Sequence, residues 1–249
     1  MSPIFLLSIA LQIGCAVHAV RTGRPMYWVF ILLIGSYIGV AIYLLAEVLP
    51  EMRNSRGAQR AVRGVRNRID PDRDRRIAGQ RLDAADTLEN RSVLAEQSLR
   101  SGDYAHAAEL YRASLKGLYK TDPNLMLGLA RAQFGLGEFQ DTKQTLDALI
   151  AANPTFRSTD GHLLYARAVE GTGDTRAALH EYETLAPGYP GEEGRARYGL
   201  LLKRDGQVAK ANEVFSDIIK RAKAAPRYYQ REQREWIAIA EREAANPSA

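Results

Sequence analysis

The chain has 249 residues, a net charge of +5 and a single cysteine. This length allows one modest domain with additional segments, and one cysteine excludes an intramolecular disulfide. Residues 1–81 hold twelve arginines and five acidic residues, so the rest of the chain is slightly acidic and gives no indication of a basic surface that binds nucleic acid.

Two apolar stretches open the chain. Residues 3–20 contain Gln12 and His18, whereas residues 26–46 contain no charged residue. At 1.5 Å per residue the second stretch would span about 31 Å, enough for the hydrocarbon core of a bilayer. We therefore expect residues 1–50 to form a transmembrane helical hairpin, with spans at about 3–20 and 26–46, in which Cys15 and His18 serve packing. An alternative is that the first stretch is a cleaved signal peptide.

The segments Tyr27-Trp28-Val29 and Ile38-Gly39-Val40-Ala41-Ile42-Tyr43-Leu44-Leu45 resemble the N-terminal hairpin that precedes phospholipase D-type cardiolipin synthases. In that family the hairpin is an anchor, and catalysis uses a His-x-Lys-x-x-x-x-Asp motif. None of the four histidines of this chain is followed by that pattern. The resemblance thus implies a membrane anchor without the enzyme.

An arginine-rich segment follows, which we interpret as a juxtamembrane linker or amphipathic helix over residues 51–86. In a helix, its basic side chains would lie opposite a narrow apolar stripe, where they suit the anionic surface of a membrane. The alternative is a solvated linker whose arginines only set the topology. Ten arginines in residues 51–81 outweigh the two in the loop between the spans. This excess predicts that the residues after the second span lie in the cytoplasm. The hairpin and the region that follows it together resemble bacterial membrane proteins, which implies a multi-pass protein of the bacterial inner (plasma) membrane. The membrane-surface candidates are Arg53, Arg56, Arg60 and Arg63.

The remainder of the chain contains a repeat marked by four glycines. They are separated by 35, 36 and 33 residues, and each is followed five positions later by a small residue and nine positions later by a large apolar one. A period of this size is typical of helix–turn–helix arrays, in which the glycine reverses the chain and the small residue allows close helix contact. The glycines are Gly102, Gly137, Gly173 and Gly206; the small residues are Ala107, Thr142, Ala178 and Ala211; the large ones are Tyr111, Leu146, Tyr182 and Phe215.

This pattern resembles the tetratricopeptide repeat, a unit of 34 residues. The resemblance implies an all-α fold in which residues 87–226 form an α-solenoid of about four helix hairpins and residues 227–249 supply a C-terminal capping helix and tail. Pro123 comes four residues later than the position of the proline in the family. We therefore expect the second helix of the first unit to extend through residues 116–120.

Motifs for chemistry are absent from the sequence. There is no His-Glu-x-x-His, no paired-cysteine metal site, no phosphate-binding glycine loop and no Gly-x-Ser-x-Gly. His106, His162 and His180 fall in separate units and favour surface or packing roles. We expect no catalytic residue, no metal site and no cofactor.

In tetratricopeptide proteins the first helices of the hairpins line a concave groove that binds a peptide. Applied to this chain, the resemblance implies an arginine-containing strip with apolar side chains between the cations, which suits an acidic, partly apolar peptide. The alternative is that these arginines form a solvated face paired with Glu96 and Glu170. The implied partner-binding residues are Leu127, Arg131, Phe134, Leu163, Arg167 and Lys203.

Three functions follow from these patterns. The first is a membrane-anchored scaffold or adaptor that binds a protein partner through its concave face. The second is a non-catalytic accessory subunit of a lipid or envelope-polymer enzyme complex, assembled through the membrane hairpin. The third is nucleic-acid binding through the arginine-rich segment, which the slightly acidic repeats disfavour.

Overall fold

The computed structural model describes residues 3–21, 27–34, 42, 46, 70 and 72–246. Over these residues the secondary structure is helical and contains no strand, which confirms the all-α prediction. The helices are α1 (Pro3–Arg21), α2 (Tyr27–Ile34), α3 (Arg73–Ala84), α4 (Leu88–Ser101), α5 (Tyr104–Ser114), α6 (Pro123–Gly135), α7 (Phe139–Ala152), α8 (Thr159–Gly171), α9 (Thr175–Leu185), α10 (Glu193–Arg204), α11 (Val208–Ala224), α12 (Arg227–Glu232) and α13 (Arg234–Ala245).

The chain divides into two compact units, Met1–Arg73 and Asp74–Ala249. In the first unit, α1 packs against α2 through four buried side chains. These are Cys15 and Ala19 from α1 and Trp28 and Leu32 from α2. The thiol of Cys15 is free and buried, in keeping with the expected packing role.

The predicted localisation in a bacterial inner membrane is contradicted by these helices. Among the described residues, no helix combines the length and the apolar character that crossing a bilayer requires. The helix α1 contains Gln12 and His18 and ends at Arg21. The described part of helix α2 is Tyr27–Ile34. The membrane-surface candidates Arg53, Arg56, Arg60 and Arg63 lie outside the described residues.

The second unit is built from four consecutive helix hairpins, namely α4 with α5, α6 with α7, α8 with α9, and α10 with α11. At each reversal the glycine predicted from the repeat adopts a left-handed conformation with φ between 79° and 86°. Only glycine takes up this conformation without steric cost, which explains why it recurs there. In the first and third hairpins an aspartate then caps the second helix: Asp103 accepts a hydrogen bond from the amide of His106, and Asp174 from that of Ala177.

The core of the hairpins follows the predicted register. Every small residue five positions after a turn glycine is fully buried, and every large residue nine positions after it is buried. Small side chains at these contacts let the two helices of a hairpin approach closely, and the large ones fill the space one turn later. The residues are Ala107, Thr142, Ala178 and Ala211, with Tyr111, Leu146, Tyr182 and Phe215.

The connection between the first two hairpins differs from the prediction. The expected extension of the second helix through residues 116–120 is wrong, because α5 ends at Ser114 and a short 3₁₀ turn, Gly117–Tyr119, follows. Gly117 has a positive φ of 55°, which interrupts a helix. Pro123 occupies the first turn of α6, where its missing N–H costs nothing, and Asp122 caps that helix.

The helix α3 covers the open end of the first hairpin. Its buried Ala78 joins the core cluster of that hairpin, and Leu82 packs against the same cluster. The guanidinium of Arg75 donates to the carboxylate of Asp103 at 2.7 Å, which ties α3 to the first turn. The helix ends at Ala84.

The C-terminal segment forms two helices where the sequence predicts one, since α12 ends at Glu232 and α13 begins at Arg234. The side-chain oxygen of Gln233, between them, accepts a hydrogen bond from the amide of Glu192 at 2.9 Å. The helix α13 packs on α11 and α10 with Ala240 fully buried. It thereby covers the apolar side of the last hairpin.

A buried carboxylate holds the start of this C-terminal segment. The side chain of Glu192 is fully buried. It accepts hydrogen bonds from the Tyr229 hydroxyl at 2.7 Å and from Arg221 Nε at 3.3 Å. Arg195, also buried, lies 3.5 Å away and donates to three backbone carbonyls. Since a buried charge is tolerated only when it is paired, this network fixes α12 against α10 and α11.

Candidate protein-binding face

The second helix of one hairpin lies close to the first helix of the next because glycines on the first helices receive aromatic rings of the preceding hairpin. Gly135, the last residue of α6, faces the ring of Tyr104, and Gly171, the last residue of α8, faces the ring of Phe139. Any side chain at either glycine would collide with the ring. Packing thus explains why glycine stands two positions before the turn glycines Gly137 and Gly173. We call the exposed sides of α4, α6, α8 and α10 the inner face.

Arg131 is the most available cation of the inner face. It is exposed on α6, and within residues 72–246 its guanidinium makes no hydrogen bond or ion pair. It lies close enough to Tyr111 to influence the hydroxyl of that residue, which donates to Glu96 at 3.5 Å. Burial, together with the negative charge of Glu96, raises the pKa of Tyr111 to about 12, while Arg131 and Arg100 act in the opposite direction. Glu96 is already paired with Arg100 at 3.1 Å, so Arg131 retains its full capacity to bind an anion.

Arg167, the counterpart of Arg131 in the next hairpin, is engaged inside the protein. Its guanidinium lies 4.6 Å from the centre of the Phe134 ring, a cation–π arrangement. It also lies 3.7 Å from the carboxylate of Glu193. Burial and the nearby positive charge of Arg197 lower the pKa of Arg167. The structure therefore brings Phe134 and Arg167 together, as a contact between hairpins.

Glu170 connects two neighbouring hairpins at the inner face. Its carboxylate accepts a hydrogen bond from the buried Tyr182 hydroxyl at 2.7 Å and forms an ion pair with Arg204. Burial, followed by the hydrogen bond to Glu170, raises the pKa of Tyr182 above its ordinary value. A carboxylate on a first helix thus binds a tyrosine of its own hairpin and an arginine of the next.

Lys203 lies where the C-terminal helix closes the inner face. Its ammonium group donates to Glu243 at 3.0 Å and to the carbonyl of Asn246 at 2.8 Å, and only 11% of its side chain is exposed. The guanidinium of Arg197 lies 5.0 Å from the centre of the Trp236 ring on the same helix, α13. These contacts occupy Lys203, which the sequence had suggested for partner binding.

The two leucines among the predicted partner-binding residues lie in the core. Leu127 packs in the cluster between α6, α7 and α8, and Leu163 packs in the cluster between α8, α9 and α10. Both are buried, so neither side chain is available at the surface. Of the six predicted residues, Arg131 is exposed, Phe134 and Arg167 are half-buried in contact with each other, and Lys203 is paired with Glu243.

The hydroxyl–carboxylate pairs of the first and third hairpins were not predicted. The sequence does contain a signal for them, because Tyr111 and Tyr182 occupy a gap position that is filled by Leu146 and Phe215 in the other two hairpins. A buried tyrosine hydroxyl requires an acceptor, and a glutamate on the facing helix is the natural choice. The burial of Glu192 was likewise not predicted.

The inner face contains no arrangement that would hold a metal ion. In the described ranges no group of three or more histidine, cysteine, aspartate or glutamate side chains lies close enough for that purpose. His162 is paired with Glu181, and His106 lies beside Asp103. The side chains that the face presents are charged and aromatic.

The comparison with known protein families bears on the first hairpins. Residues 98–168, which run from the end of α4 to the end of α8, match the family model of the tetratricopeptide repeat. No curated protein matches the chain. The repeat inferred from the glycine period is therefore confirmed as a tetratricopeptide repeat over residues 98–168.

Proposed function

We propose that this chain is a non-catalytic protein-interaction scaffold whose inner face binds an acidic segment of a partner protein at Arg131. The tetratricopeptide match supports a role in protein–protein interaction. The finer proposal, that the ligand is acidic and binds at this position, depends on the charges of the inner face.

The observation that supports this proposal is that Arg131 takes no part in the ion pairs of the inner face. Four carboxylates at or beside this face already have a cationic partner within the chain: Glu96 with Arg100, Glu170 with Arg204, Glu193 with Arg167 and Arg197, and Glu243 with Lys203. Arg131 has no such partner among the described residues. An exposed guanidinium without a partner in its own chain attracts an external carboxylate, which it can bind through two parallel hydrogen bonds.

The surroundings of Arg131 add an apolar component. Phe134 follows one turn later on α6, and its ring is half-buried between Phe139 at a centroid distance of 5.3 Å and the guanidinium of Arg167. The uncovered part of this ring lies on the same side of the helix as Arg131. A ligand that carries a carboxylate and, nearby, an aliphatic or aromatic side chain would contact both.

The accessory-subunit hypothesis depended on a membrane-spanning hairpin, which the described helices do not support. Nucleic-acid binding depended on the segment around Arg53, which lies outside the described residues. The proposed function therefore depends on the inner face alone.

Fluorescence anisotropy with two labelled peptides tests it. One peptide interleaves glutamates with leucine and phenylalanine, and the other replaces the glutamates by lysines. We expect the full-length chain to bind the acidic peptide preferentially, and Arg131→Glu to weaken that binding about fivefold or more, because the reversal adds repulsion to the loss of attraction.

The control is Arg176→Glu, which reverses an exposed arginine on the second helix α9. It should bind the acidic peptide as the unmodified chain does. Equal weakening by both reversals, or equal binding of the acidic and basic peptides, would show that Arg131 is a solvated residue without a specific ligand.

A further inference from the structure

The loop between the first two hairpins presents an unusually exposed apolar side chain. Leu118 is 98% exposed, and its neighbour Tyr119 is 47% exposed. The 3₁₀ turn Gly117–Tyr119 holds both outward. Lys116 and Lys120 flank the turn, are exposed, and make no ion pair within the described part of the chain. We call residues 116–120 the knob: a leucine and a tyrosine between two free ammonium groups.

A cleft of about 530 Å³ opens at the same end of the hairpins. It lies among the end of α7, the start of α8 and the end of α9, and its walls are mostly apolar. Ile150, 57% exposed, stands at its edge, and Phe156 and Leu185 contribute further apolar surface. Its polar groups include Glu181, which is paired with His162 at 3.3 Å. A cleft of this volume and lining accommodates a large apolar side chain.

The knob and the cleft are neighbours on one edge of the molecule. The side-chain amide of Asn153, a residue of the cleft, donates to the carbonyl of Thr121, directly after the knob, at 3.0 Å. This hydrogen bond fixes the base of the knob beside the cleft, and the exposure of Leu118 shows that the knob does not fill the cleft of its own molecule. Two complementary features on a single edge can pair twice about a two-fold axis.

The knob is positively charged, and two carboxylates and one guanidinium lie in or beside the cleft. The knob carries two lysines and no acid, whereas the cleft contains Glu181 and lies at the start of α8 next to the exposed Asp160. Arg157 is the one cation of the cleft lining besides the paired histidine, and its guanidinium is turned to the carbonyls of Pro154 and Phe156. Opposite charges around an apolar contact favour the matched orientation over others.

We propose that the chain forms a two-fold dimer in which Leu118 of each copy enters the cleft of the other, with Lys116 and Lys120 placed near Glu181 and Asp160. The contact buries the most exposed apolar side chain of the described residues in the apolar cleft beside it. It leaves the inner face with Arg131 free to bind a separate ligand.

Sedimentation velocity of the full-length chain over micromolar concentrations tests the dimer. We expect Leu118→Glu to raise the dimer dissociation constant about tenfold or more, as the loss of a central apolar anchor does. Gly188→Trp should have a similar effect by filling the cleft, since a side chain at this cleft residue meets open space and its backbone needs no positive φ. Reversal of Lys116 and Lys120 to glutamate should weaken the dimer by a smaller, salt-dependent factor.

A mixture of the two variants gives the sharpest result. The variant Leu118→Glu keeps an intact cleft, and Gly188→Trp keeps an intact knob. One of the two contacts can therefore form between them, and the mixture should dimerise more strongly than either variant alone. Tyr228→Glu, which changes an exposed aromatic residue elsewhere, and Arg131→Glu on the inner face should leave the dimer unchanged.

Circular dichroism establishes first that each variant keeps its helices. A monomer throughout the concentration range would overturn the proposal, as would a dimer that survives Leu118→Glu and Gly188→Trp, a mixture no better than its components, or a dimer lost through Arg131→Glu. The last result would place the contact between copies on the inner face. If the chain does not dimerise, the proposed peptide binding at Arg131 is not affected, because fluorescence anisotropy tests it separately.

Discussion

The two halves of the inner face use the same repeat positions differently. In the N-terminal half, formed by α4 and α6, Arg131 is exposed and has no ion-pair partner among the described residues. In the C-terminal half, formed by α8 and α10, Arg167 lies on Phe134 and beside Glu193, and Lys203 is held by Glu243 of α13. Equivalent positions in a repeat therefore do not imply equivalent roles: one half is available to a ligand, and the other is closed by contacts within the chain.

The largest expected effect concerns the closed half. Glu192→Ala removes the buried carboxylate that binds Tyr229 and Arg221 and leaves Arg195 buried without its counter-charge. Removing one partner of a buried ion pair costs about 3 kcal/mol. We expect thermal unfolding, followed by circular dichroism, to show a melting temperature lowered by several degrees. Asp217→Ala, which changes an exposed carboxylate on α11, is the matched control. An unchanged melting temperature for Glu192→Ala would mean that the C-terminal helices are held by apolar contacts alone.

A second pair of variants compares the two halves directly. Arg167→Glu removes a cation from the Phe134 ring and places a carboxylate beside Glu193. It should lower the free energy of unfolding by about 1–2 kcal/mol. Arg131→Glu changes an exposed side chain and should alter the same quantity by less than about 0.5 kcal/mol. Urea unfolding measures both; equal effects would remove the distinction between a structural arginine and an available one.

The smallest effect depends on pH. The hydrogen bond from Lys203, aided by Arg242, lowers the pKa of Glu243 below its usual value. A carboxyl whose pKa is lower in the folded state stabilises the fold above its unfolded pKa, which is about 4.3 for a glutamate. This stabilisation is lost as the pH falls through the folded pKa. The melting temperatures of the unmodified chain and of Glu243→Gln should therefore differ at pH 7 and converge in acid. If the difference between the two melting temperatures stayed the same from pH 7 into acid, a group other than Glu243 would account for it.

The sequence predicted the repeat well because its determinants are local. A turn glycine, a small residue five positions later and a large one four after that are all imposed by a single hairpin, and the buried Ala178 and Tyr182 follow this rule. The connection around Gly117 does not follow this rule. It contains four more residues than the repeat requires, and the repeat period does not specify their backbone conformation.

The roles of the charged residues could be predicted only in part. Lys203 meets Glu243 across forty positions of the chain, a contact that no local pattern indicates. Arg131 and Arg167 occupy equivalent positions in the repeat. Their surroundings differ because Arg167 contacts Glu193 of the following hairpin. Leu127 and Leu163 were assigned to the groove from the family pattern, yet in this chain they are required by the core.

The rings of Tyr104 and Phe139, each seated on a glycine of the next hairpin, have a mechanical consequence. They couple the first three hairpins by steric contact, which does not weaken with salt. The corresponding residues at the last junction are Thr175 and Arg204, so no ring is seated on a glycine at these positions. The fourth hairpin is joined through the apolar cluster that includes Leu163 and Leu201, and through the ion pair of Arg204 with Glu170. Bending at the first two junctions would therefore push a ring into a helix backbone, whereas bending at the last junction would only rearrange side chains.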